Sequence, residues 1–60
     1  MSATTTDTMT VSAVVKTDAP DIARRQWATF GYRVLRVIET TPSPHPGRWR
    51  VTAELELVRP

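Results

Sequence analysis

The chain has no cysteine, one histidine and two glycines among its 60 residues. The missing thiols exclude disulfides and cysteine-ligated zinc. A single imidazole, His45, cannot build a histidine-rich metal site by itself. Gly31 and Gly47 do not form a phosphate-cradling loop. No apolar run approaches the ~20 residues needed to span a bilayer. The segment Met1–Thr10 is polar and Thr-rich, with neither a basic n-region nor an apolar h-region, so no signal peptide is expected. These absences lead to an expected cytoplasmic protein with no membrane partner, no metal and no cofactor.

What remains is a short chain that must fold on little. Sixty residues make one domain at most. A domain of this size buries only ~60 % of the surface its unfolded chain exposes. Without disulfides or a metal, self-association is the expected support. The formal net charge is +2 and the isoelectric point about 9.9. Seven of the eight basic residues are arginine, and six acids are mixed among them. An excess of two charges says little about partners. The richness in Arg, Ala, Thr and Val is that of a GC-rich genome, and a bacterium or its phage is the expected source.

Periodicity divides the chain. Residues 1–8 read as a flexible polar tail and residues 9–60 as the domain. Met9–Lys16 reads as a first strand, with Met9, Val11, Ala13 and Val15 alternating against Thr10, Ser12 and Val14. A helix start follows, with Asp18 as N-cap, Pro20 in the first turn and Asp21 near the positive end of the dipole. Ala19, Ile22, Ala23, Trp27 and Phe30 then fall on one helical stripe. Gly31 is the natural residue to turn the chain out of the helix. Tyr32–Thr40 reads as a second strand and Thr41–Gly47 as a loop stiffened by Pro42, Pro44 and Pro46. Arg48–Val58 reads as a third strand. Trp49, Val51, Ala53, Leu55 and Leu57 face one way there, and Arg50, Thr52, Glu54 and Glu56 the other.

The expected fold is α+β: one β-α-β-β unit whose three-stranded mixed sheet carries one helix on one face. Its architecture resembles half of a ferredoxin-like fold, a likeness shared by many functions. The first two strands should run parallel through a right-handed crossover, and the last two should form a hairpin. The predicted core is Val11, Val15, Ile22, Trp27, Phe30, Leu35, Val37, Trp49, Val51, Leu55 and Leu57. Pairing Thr40 with Arg48 sets Val37 against Val51 and Leu35 against Ala53. Tyr32, Val34, Arg36, Ile38, Arg50, Glu54 and Glu56 then lie on the face that no helix covers. A two-fold axis through that face could set arginines of one copy against glutamates of another.

No residue pattern points to catalysis. His45 lies between two prolines with no Ser/Asp partner pattern around it. Glu54 and Glu56 share one strand face, whereas a hydrolytic carboxylate pair works across a cleft. The prolines at every second residue do not match a PxxP ligand. The expected function is therefore non-enzymatic: a self-associating protein–protein interaction module, acting as an accessory, inhibitory or structural component. Its expected partner is a second copy in a homodimer, or another protein. Two alternatives stand beside it. One is nucleic-acid binding through Arg24, Arg25, Arg33 and Arg48, with Tyr32 and Trp49 available to stack. The other is a minor subunit of a virion or larger enzyme complex.

Overall fold

A computed structural model describes residues 4–58. The elements follow as strand β1 (Thr4–Ser12), a short 3-10 turn (Lys16–Asp18), helix α1 (Ala19–Thr29), strand β2 (Tyr32–Pro42) and strand β3 (Arg48–Leu57). The three strands form one sheet in the order β1-β3-β2, and both pairings are antiparallel. This corrects the expected mixed sheet. β1 and β2 run in the same direction, as a crossover through a helix requires, but β3 is inserted between them. The reason lies in burial. Val51, Ala53 and Leu55 of β3 are all buried, which suits the central position, whereas both neighbours are largely exposed.

β1 begins and ends earlier than its apolar alternation predicts. Thr4–Thr8 are part of the strand, opposite Glu56 through Thr52. Threonine is β-branched and suits a pleated strand even without apolar neighbours. The rest of the expected tail, residues 1–3, lies outside the described residues. The chain leaves the sheet after Ser12, so Ala13 takes the last covered position and Val15 is 47 % exposed, not core.

The helix forms where its signals stand, with Pro20 in its first turn and Asp21 beside it. Asp18 occupies the N-cap position but its side chain makes no capping bond, because the preceding 3-10 turn already holds it in a helical conformation. Ala19, Ala23 and Trp27 are buried, one turn apart along a single line. Phe30 was expected on that line but is 69 % exposed, because the helix ends at Thr29 and Phe30 caps it with φ −95° and ψ 5°. Gly31 turns the chain at φ 87°, a conformation that L side chains rarely adopt. Its carbonyl then accepts the Val58 amide at 2.7 Å, which ties the start of β2 to the end of β3.

β2 departs furthest from expectation. It continues through Thr41 and Pro42, and Thr40 faces Val51 instead of Arg48. Two register shifts, one between Val34 and Arg36 and one between Val37 and Glu39, leave Leu35 and Ile38 as extra residues. Each such bulge adds one residue to one strand only. The simple alternation therefore becomes a three-residue step: Val34, Val37 and Thr40 face Leu55, Ala53 and Val51. Leu35 is consequently exposed, not core. Tyr32 and Val34, expected on the uncovered face, pack against the core instead. Leu57 is 38 % exposed because it sits at the sheet end, opposite Tyr32 and beyond the last helical turn.

The core that results is thin. It consists of Val11, Ala13, Ala19, Ala23, Trp27, Val51, Ala53 and Leu55, with Met9, Ile22, Tyr32, Val34, Val37 and Trp49 packed around it. Four of these eight are alanine, so the helix and the sheet meet through small side chains. Close-packed interiors tolerate added volume poorly. Ala23→Leu is therefore expected to cost about 1–3 kcal/mol by overpacking. Urea unfolding would read this as a lower midpoint at unchanged slope. A midpoint equal to that of the native chain would refute the tight helix–sheet seam.

Candidate functional site

The sheet face away from the helix is uncovered, and its chemistry follows from the register. β1 contributes Thr4, Thr6, Thr8, Thr10 and Ser12, which stand opposite Glu56, Glu54, Thr52, Arg50 and Arg48 of β3. Opposing side chains of an antiparallel pair share a face. The hydroxyls of Thr8 and Thr52 meet at 2.8 Å across it. On the β2 side, Arg33 faces Glu56 and Arg36 faces Glu54. Arg33 Nη2 donates to Glu56 Oε1, and Arg36 Nε lies 3.7 Å from Glu54 Oε1. These ion pairs form within one copy. The glutamates that sequence reasoning offered to a partner's arginines thus already have arginines beside them.

Of the arginines considered for nucleic acid, Arg24 and Arg33 come together beside one concavity, and Arg48 does not join them. Arg24 and Arg25 are on the helix, and Arg24 pairs with Asp21 at 3.3 Å. Arg33 stands opposite Glu56 at one end of β3, and Arg48 is the first residue of that strand at the other end. Eight residues of strand separate those ends by about 26 Å. The stacking residues are similarly occupied. The half-buried Trp49 indole donates to the Ala13 carbonyl at 3.1 Å. Tyr32 packs on the core margin.

Two open concavities flank the helix. One, of about 630 Å³, lies on the β2 side among Arg24, Ala28, Gly31, Tyr32, Arg33, Val34 and Val58. The other, of about 490 Å³, is lined by Asp7, Thr8, Met9, Trp27, Phe30 and Tyr32. His45 lines neither and stands exposed in the hairpin turn, where its amide donates to Ser43 Oγ at 3.3 Å. Among the described residues no three His, Cys, Asp or Glu side chains are grouped to hold a metal.

The sheet's two edges differ more than its faces do. β2 is obstructed by two bulges, by Arg33 and Arg36, and by Pro42. Such features discourage strand pairing. β1 is regular over nine residues, with no bulge and no proline. Sequence reasoning passed over this edge because the first five residues of β1 contain no apolar side chain. The signal that could have found it was the run of β-branched threonines. No family model, curated protein or solved structure matches the chain.

The Trp49–Ala13 bond joins β3 to the segment that leads into the helix. Trp49→Phe keeps the ring and removes the donor. It is expected to cost about 1 kcal/mol, with faster hydrogen exchange in residues 13–17. Unchanged stability together with unchanged exchange would show that the bond holds nothing in place.

Proposed function

We propose that this chain is a small non-enzymatic interaction module that self-associates as a homodimer and serves as an accessory, inhibitory or structural component. The observation that carries the reading is the imbalance between the core and the surface. Among the described residues, the largest fully buried side chains are Leu55 and Val51, while Val14, Val15, Phe30, Leu35, Ile38, Leu57 and Val58 are 38–94 % exposed. Small domains with thin cores gain stability by burying such side chains against another chain. The finer architecture belongs to the same reading: β1, α1, β2 and the hairpin to β3 make a split β-α-β unit of the half-ferredoxin kind. In that kind of unit the second sheet face and one edge are left for a partner. Among the described residues no helix is long and apolar enough to cross a membrane. We place the protein in the cytoplasm of a bacterium, or of a cell infected by its phage.

Arg24 and Arg33 lie beside one concavity but each has a carboxylate next to it, Asp21 and Glu56, and Arg48 lies at the far end of β3. This favours the reading over nucleic-acid binding, since that uses a basic stripe or patch. Sedimentation velocity over 1–100 µM, an order-of-magnitude range around ordinary dimer affinities, is expected to show a reversible dimer. A folded monomer throughout that range would sink the proposal.

A further inference from the structure

The backbone of β1 has a fixed polarity that the hydrogen bonds reveal. The Ala13 amide donates to the Gly47 carbonyl at 3.0 Å, immediately beyond the strand and in the same register. In an antiparallel ladder, residues turn toward and away from the partner strand alternately. Val11, Met9, Asp7 and Thr5 therefore bond to β3, and Thr4, Thr6, Thr8, Thr10 and Ser12 direct their amides and carbonyls to the open edge. Two further contacts agree with this. The Thr8 amide is accepted by the carboxylate of its neighbour Asp7 at 2.8 Å. The close Thr8–Thr52 hydroxyl contact is that of a pair without mutual backbone bonds.

We infer that the edge of β1 is the seam at which a second copy of this chain adds, antiparallel, about a two-fold axis at Thr8. The inference rests on the self-association reading but is argued from the backbone of this edge, since none of the exposed apolar side chains lies on β1. β1 spans Thr4–Ser12, so Thr8 is its midpoint. An axis there pairs every residue of the strand. Thr4 meets Ser12 and Thr6 meets Thr10 on the uncovered face, with Thr8 opposite its symmetry mate. On the helix side Thr5 meets Val11 and Asp7 meets Met9. Hydroxyl-bearing cross-strand pairs are favourable and like charges directly opposite are not. An axis one residue earlier would oppose two Asp7 carboxylates. A two-fold axis normal to the sheet places both helices on one side of a continuous six-stranded sheet. Asp7 is the gate, because its carboxylate releases the Thr8 amide when that amide turns to the partner's Thr8 carbonyl.

Two kinds of variant test the seam in the full chain. Thr8→Pro removes an amide that β3 does not use, so circular dichroism should report the native fold. Its dimer is expected to dissociate at least ~10-fold more readily, because two symmetric backbone bonds are lost. Thr8→Cys places two thiols opposite each other, with Cα atoms ~5.5 Å apart, within disulfide reach. Mild oxidation should convert it to a covalent dimer, cleanly, since the native chain has no cysteine. Thr6→Cys should fail to crosslink, because four residues of strand separate its thiols by about 14 Å. A wild-type dimer that Thr8→Pro leaves as tight, or crosslinking of Thr6→Cys as efficient as that of Thr8→Cys, overturns the seam while self-association stands. A wild-type monomer whose Thr8→Cys form does not crosslink overturns both.

Discussion

Every part of this molecule depends on the two-sided hydrogen bonding of β3. Residues 47, 49, 51, 53 and 55 bond toward β1, and residues 48, 50, 52, 54 and 56 alternate with them toward β2. Within the strand, residues 49, 51, 53 and 55 of the first set are also those whose side chains face the helix. One strand thus satisfies both neighbours and supplies the centre of the core. The helix, held between β1 and β2 by the crossover, settles on Val51, Ala53 and Leu55 because no other strand offers three buried positions in succession.

That arrangement explains which features the sequence displayed. The alternation from Trp49 to Leu57 is regular because a central strand has no freedom to deviate. It set the inward face correctly, and the helix start, buried line and Gly31 exit were equally legible. The edge strands were harder to read, for two different physical reasons. Thr4–Thr8 carry no apolar side chain, so hydrophobic periodicity is silent there, although their β-branching was a usable sign. β2 has apolar residues, but Leu35 and Ile38 are inserted as bulges, and counting by two then assigns Tyr32, Val34 and Leu35 to the wrong sides. A bulge changes no composition and leaves no mark in an alternation already blurred by charge. The sheet order follows from burial, which becomes plain only when the three strands are compared.

The candidate surfaces shifted with the register. The uncovered face kept Arg36, Arg50, Glu54 and Glu56 from the expected set, but both glutamates pair within one copy, Glu56 with Arg33 and Glu54 with Arg36. Exposed ion pairs of this sort contribute only about 0.2–1 kcal/mol each. They do, however, engage both glutamates that made face-to-face assembly attractive. On the proposed seam it is the rim, not the face, whose backbone groups would carry the pairing and whose side chains would set its register.

The bulges and Pro42 of β2 have a consequence for what the chain cannot become. A sheet with two receptive edges can recruit copies without limit and grow into a filament. Here one edge is regular and the other is broken by Leu35, Ile38 and a residue with no amide hydrogen. On the proposed seam each copy would therefore be monovalent with respect to strand addition. Two such chains that meet along β1 leave only obstructed rims outward, and the polymerisation is terminated at its first step. The irregularity that hid the register from the sequence would thus serve the proposed dimer as a chain stopper.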